Sequence, residues 1–426
     1  MRSTDVLILG GGPAGLSLSL FLKDRGVASH VLEKSETAGG LARSFRAGPY
    51  TFDHSGHLLH TNEPEILRLV ERRLRVPLAR IARRSVCWSD GRFIPFPYQQ
   101  NLFYLDPEQT REALTGFFRR RGGTPRNFKE WLHANYGDGV GTQFLYPYNR
   151  KLWNVDLRRM AIDWVPRFLP SSDAKAILRS AFYREKVPWG YNAIFYYPVR
   201  GGIGAIGSRL AETVSDRTTT QARIVQIDID AKTVAIIRSD GAQEVWRYRR
   251  LVSTIPLPEF LRLSGGTPPP ILKSTGVTVF NVGLRVPFPE DFHWCYVPSP
   301  RLPFYRFGVY SNISRRAAPA GHSALYIECA APPDALGRFR FQTILVHFMK
   351  FGLIRNARAV DTMHRLDLRY AYPIPLRGLA RYRDRLARRL RVEGVELMGR
   401  FGAWRYVAIS DVILEARALA DRLWRF

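Results

Sequence analysis

Apolar positions along the chain change their spacing several times, and each change marks a candidate element. Val6 to Leu9 is an unbroken apolar run, the pattern of a parallel strand buried on both faces. Gly10, Gly12 and Gly15 follow, then an uncharged helical stretch to Leu22, then a second strand-like run from Ala28 to Leu32. Thr61 or Asn62 is placed to cap a helix with Pro64 in its first turn, running to about Leu74. Ile94 to Leu102 is rich in proline and aromatics and reads as loop or edge. Asp106 to Arg120 and Phe128 to Tyr136 read as helices. Helix is expected again over Ile206 to Val214, and alternation from Ala222 to Ile237 predicts two strands about a turn at Asp230 to Lys232. Leu251 to Pro256, Val277 to Leu284 and Val395 to Met398 complete the expected strands, and Asp411 to Leu423 the last helix.

The first of these elements carries chemistry. Gly10, Gly12 and Gly15 form G-x-G-x-x-G where strand turns into helix, with Pro13 and Ala14 between them. Such glycines serve a tight turn, close backbone approach to a pyrophosphate, and close helix-on-strand packing. The free N–H groups and dipole at the helix start suit that pyrophosphate. Glu33 ends the second strand, where an acid takes a ribose hydroxyl. A lone glycine motif is weak evidence, whereas strand, glycines, helix, strand and terminal acid in one unit predict a dinucleotide site. Lys34 adjoins it, and Gly39-Gly40-Leu41-Ala42-Arg43 follows, with paired glycines for close approach and an arginine within reach of a phosphate.

Composition changes the picture in two ways. At 426 residues the chain has room for two domains. Its net charge of +27 comes mostly from arginine. An anionic partner explains that surplus, and so does a merely solvated basic surface. Basic clusters such as Arg119-Arg120-Arg121 lack the aromatic interleaving of nucleic-acid modules, so no nucleic-acid partner is expected, while the charge suits peripheral membrane contact. Three dispersed cysteines suggest neither a disulfide framework nor a metal site. Val6 to Leu22 is uncharged, yet it is shorter than the roughly 20 residues of a membrane span and is broken by glycine and proline. A soluble, cytoplasmic chain is expected.

Gly39-Gly40 with Gly56-His57-x-x-His60-Thr61-Asn62 resembles flavoproteins of the UDP-galactopyranose mutase type, relatives of the protoporphyrinogen oxidase and amine oxidase flavoproteins. The resemblance implies FAD, with Gly56 and His57 at the flavin ring and His60 close behind. Flavin contact is ranked ahead of packing histidines, and a zinc pair lacks further ligands at useful spacing, so no metal is expected. Phe144 to Trp153 and Asp163-Trp164-Val165-Pro166-Arg167 match again. There the resemblance gives Trp153 to the sugar pocket and Arg167, fourteen positions on, to the substrate diphosphate. Arg306 corresponds to a second diphosphate arginine, Tyr372 to a phosphate contact, and Tyr406 and Arg400 to positions at substrate and flavin. Ile409, where the family has a methionine, is assigned to the cofactor site, and Asn101 is placed to reach the substrate pocket, though a turn-capping amide is the plainer reading.

Two departures stand against the match. The family aspartate is replaced by Ala408, and a third arginine expected after Pro256 is missing, with Lys273 nearby. The match fades from Ser171 to Trp189, where the family's nucleotide-contacting loop would lie.

The expected fold is α/β: a discontinuous Rossmann-type FAD-binding domain with an inserted mixed α+β substrate domain. Segments 1–70, 200–270 and 365–426 are assigned to the former, 71–199 and 271–364 to the latter. The resemblance implies a flavoenzyme interconverting pyranose and furanose forms of a nucleotide-linked sugar through reduced flavin, with His57, Arg167, Arg306 and Tyr372 as its catalytic set. The other expectation is an oxidoreductase removing hydride from a non-nucleotide substrate.

Overall fold

The computed structural model describes residues 1–120, 122–169, 173–183 and 193–424. The apolar run at the amino terminus becomes the strand Arg2–Leu9, whose last four residues are fully buried. It lies parallel to Ser29–Leu32 on one side and Gln243–Ser253 on the other. Around these three strands forms a seven-stranded sheet that also takes Arg223–Asp228, Thr233–Ile237, Thr218–Thr219 and Val395–Leu397. The glycine-turn helix Pro13–Asp24 packs against Ile409–Trp424 and Gly204–Thr213, its residues Ala14 to Leu22 all buried.

A second seven-stranded sheet runs in the order Val360–Pro373, Ser274–Leu284, Ser323–Ala331, Arg306–Val309, Trp294–Tyr296, Ser85–Ser89 and Arg92–Pro95. Ser274–Leu284 and Ser323–Ala331 are buried at every position, covered on both faces. Val360–Pro373 is one continuous strand across residues 364 and 365. Helices Pro107–Phe118 and Phe128–Val140 approach so closely that a Cβ on Gly139 would stand 2.2 Å from the carbonyl oxygen of Glu112. Only a residue without a side chain fits there.

Local differences from the sequence reading have local causes. The helix expected to be capped by Thr61 or Asn62 starts from Glu63 with no side-chain cap, and Thr61 Oγ1 instead accepts the Glu63 N–H at 3.0 Å. It is α-helical only over Pro64–Arg68 and continues as a π turn over Leu69–Arg73. Ile94 to Leu102 divides into the end of a strand at Pro95 and two 3₁₀ turns, Tyr98–Gln100 and Leu102–Tyr104. Much of the stretch from Ser171 to Trp189 lies outside the described residues; within it, Ala174–Phe182 is a helix capped by Asp173.

Candidate active site

Backbone geometry at the glycine turn leaves a cradle. Gly10 takes φ +101°, and a Cβ on Gly15 would meet Gly10 O at 2.0 Å, so helix and strand close only over glycine. At Gly12 a Cβ would find nothing nearer than Gly40 Cα at 3.8 Å, which leaves its outer side open. Gly39 N donates to Gly11 O at 2.7 Å, folding the paired-glycine loop, with Gly40 at φ +57°, over the helix start. No side chain caps that helix and no acid lies in its first turn, so its leading N–H groups and dipole face the opening. Glu33 is buried and pinned, its two oxygens accepting from Gly11 N at 2.7 Å and Ser35 N at 2.8 Å. A carboxylate has lone pairs beyond those two, which suits ribose hydroxyls. These groups fit a dinucleotide.

Arg43 is used differently from its expected phosphate contact. Its guanidinium donates to Gly40 O at 2.9 Å and to Thr37 O at 3.0 Å, bracing the glycine loop. Lys34 is exposed, Leu41 half-buried and Ala42 buried beside it.

The histidine loop hangs from Asp53, at the end of the strand Tyr50–Asp53. Its carboxylate accepts from Tyr197 Oη at 2.8 Å and Ile203 N at 3.1 Å, and its carbonyl accepts from Asn281 Nδ2 at 3.0 Å. Burial pushes this carboxyl up to about 7 against those hydrogen bonds. Beyond it, the ring of Tyr326 fills the space beside Gly56 and Gly308; a Cβ on either would fall within 2.5 Å of it. His57 Nδ1 is buried and unbonded within the protein. Burial, with Arg400 adding to it, holds this imidazole down at about 3, so it is neutral at ordinary pH. His60 is likewise held at about 4, chiefly by burial. An orphaned, neutral ring nitrogen next to Gly56 is a hydrogen-bonding group that a bound FAD could meet.

Four chain segments assemble an aromatic box. Trp153, at the end of Tyr146–Trp153, is only 2% exposed and donates from Nε1 to Asn149 Oδ1 at 3.2 Å. Its ring meets Tyr372 edge-on at 6.0 Å and Tyr406 at 5.7 Å. Trp153 is therefore the floor, and the half-buried Tyr372 and Tyr406 present the exposed faces. Trp164 and Phe168 close the far side, 6.0 and 4.7 Å from Tyr406. Arg400 stacks over Tyr406 at 5.4 Å and is held by donating to Val407 O at 2.6 and 2.9 Å.

Two acids that the sequence reading did not single out hold the arginines. Arg306 and Glu328 face each other across adjacent antiparallel strands. Arg306 donates from Nε to Glu328 Oε2 at 2.6 Å and from Nη2 to Oε1 at 2.9 Å. Ser55 Oγ and Gly56 N also donate to Oε1, tying this pair to the histidine loop. Burial would push Glu328 up, and the guanidinium outweighs it, holding the carboxyl down at about 2. Arg167, near half-exposed, is paired with Asp411, whose other oxygen accepts from Ala408 N at 2.7 Å at the start of the last helix. Tyr305 Oη lies 3.3 Å from Tyr372 Oη, joining the Arg306 strand to the box. Ile409 begins the last helix, whose Ser410 donates to His60 O at 2.8 Å.

Asn101 is not brought to this cluster as expected. It is buried, and its amide donates to Pro97 O at 2.9 Å, the turn-capping role. The missed Glu328 had one signal, a lone acid within an apolar strand, which implies a buried partner.

This arrangement agrees with the comparisons. The family model for flavin containing amine oxidoreductases matches residues 13–324. A solved structure of reduced UDP-galactopyranose mutase superposes with a TM-score of 0.91 at 28% identity, covering 99% of this chain and 95% of the other. A putative protoporphyrinogen oxidase from Exiguobacterium sp. 255-15 gives 0.77 at 16% identity, covering 100% and 99%. Putrescine oxidase bound to putrescine gives 0.66 at 16%, again over 100% and 99%. Those two show the fold alone. The chain belongs to the flavin containing amine oxidoreductase family and is an FAD-dependent enzyme of the UDP-galactopyranose mutase-like kind.

Proposed function

We propose that this enzyme acts on a nucleotide-linked sugar, interconverting its pyranose and furanose forms at the aromatic box. The observation that carries the reading is the meeting of Tyr372 and Tyr406 over Trp153, flanked by Arg167, Arg306 and Arg400. Bound FAD supplies the electron-pair chemistry that the side chains lack.

The residues do the remaining work. Tyrosine faces suit the C–H surface of a sugar ring. Arg306 keeps Nη1 outside its contacts with Glu328, and that carboxylate fixes the direction of the fork. Arg167 can exchange Asp411 for a substrate diphosphate, because a half-exposed ion pair contributes roughly 0–1 kcal/mol. A departing diphosphate gains charge, and prealigned guanidinium groups stabilise it most at that point. His57, neutral, leaves its Nδ1 available for a hydrogen bond to bound FAD without adding a charge.

Incubating the FAD-loaded enzyme with dithionite and UDP-galactose tests this reading, and a furanose product is expected. Failure to form one, with the flavin present and reduced, removes it. A second reading, hydride removal from a non-nucleotide substrate, is favoured by Ala408 and by the acids already paired with Arg167 and Arg306. Bleaching of the oxidised flavin by an amine or polyene, with no nucleotide added, would establish that alternative.

A further inference from the structure

Trp164 and Tyr406, which wall the aromatic box, also line a cavity of about 1030 Å³. Eight cationic side chains and a single acid, Asp163, line it. Arg126, Arg158 and Arg405 have carboxylate partners in Glu130, Asp156 and Glu415. Among the described residues, Arg159, Lys273, Arg377, Arg381 and Arg383 have no carboxylate within ion-pair distance. Like charges gathered in one concavity repel, and folding alone gains nothing from placing them there. Three buried donors of lining residues, Arg383 Nε, Trp404 Nε1 and Arg405 Nε, have no protein acceptor. A buried donor left unmet costs about 1–3 kcal/mol, which an anionic acceptor removes. Pro270, Ile271, Pro375 and Leu376 give the same cavity an apolar side.

We infer that this cleft, which adjoins the aromatic box and shares Trp164 and Tyr406 with it, is a second binding site, for an organic phosphate or diphosphate. The guanidinium groups take the phosphate oxygens, and the proline and leucine wall takes the organic portion. The cleft accounts for part of the arginine surplus that the proposed active site leaves unused. The inference does not rest on the sugar-nucleotide reading, because Arg167 and Arg306 line no part of this cavity.

The test is calorimetric titration of inorganic pyrophosphate into the FAD-loaded protein at low ionic strength. It is made on wild type, Arg167→Ala, and the double variant Arg377→Ala/Arg381→Ala. Both cleft arginines are exposed, so the double variant is expected to keep its FAD content and melting temperature. Saturable binding is expected in wild type and in Arg167→Ala, weakened about tenfold or more in the double variant, as for loss of charge-assisted hydrogen bonds. Absence of saturable binding, or equal affinity in the double variant, overturns the inference. Sedimentation with phosphatidylglycerol vesicles distinguishes the sources. Vesicle binding displaced by pyrophosphate identifies a lipid headgroup as occupant, and pyrophosphate binding without vesicle binding identifies a free phosphate compound.

Discussion

The cofactor cradle and the aromatic box are built by opposite means. The cradle comes from about thirty consecutive residues, and its shape follows from missing side chains: Gly15 against Gly10 O, Gly12 open, Gly40 over the helix start. The box draws Trp153, Arg306 and Tyr372 to the segment of Arg400 and Tyr406 from remote parts of the chain, and its shape follows from charges held by other charges. The first is specified by backbone geometry and tolerates little. The second is specified by paired groups and is adjustable at its exposed rim.

Breaking the buried pair should have the largest effect. Glu328→Ala leaves Arg306 unpaired in the interior, and loss of roughly 3–5 kcal/mol of stability is expected by chemical denaturation. Gly15→Ala breaks the cradle instead. Its methyl collides with Gly10 O, so about 1–3 kcal/mol should be lost, together with most of the FAD retained on purification. If Gly15→Ala keeps its FAD and its stability, the steric account of the cradle fails.

Arg167→Ala sharpens the contrast. Loss of its charged hydrogen bonds should weaken UDP binding by about 1.5–3 kcal/mol, roughly ten- to a hundredfold, with FAD content unchanged. Stability should change by less than about 1 kcal/mol, because the pair with Asp411 is half-exposed.

The smallest effect is graded with pH. Unfolded histidine protonates near 6.5, whereas folded His57 is held at about 3 and His60 at about 4. Their contribution is complete above 6.5 and is lost as pH falls toward 4, because the unfolded chain takes up protons first. Asp53 acts oppositely: its carboxyl, raised to about 7 by burial, erodes stability as pH rises from 3.8 to 7. Among these three groups the two histidines outweigh the one carboxyl, so acidification from 6.5 to 4 lowers stability. Denaturant midpoints across that range should fall monotonically.

Legibility followed the same division. The strand, glycines, helix and Glu33 were readable because each requirement is local: a φ value, a clash, a terminal acid. Trp153, Tyr372, Tyr406, Arg167 and Arg306 were found through their resemblance to a family, since no spacing brings such distant segments together. What stood opposite the arginines was not readable. Arg306 meets Glu328 only through strand register, and Arg167 meets Asp411 only because the last helix returns to the box. For Asn101 the plainer, local reading is the one whose hydrogen bond is seen, its amide donating to Pro97 O four residues away.

Flavin absorbance during titration of the FAD-loaded protein with UDP tests the joining of cradle and box most directly. A saturable shift of the flavin band is expected, weakened in Arg167→Ala. A flavin spectrum that UDP leaves unchanged at every concentration would contradict the account, placing no nucleotide beside the cofactor.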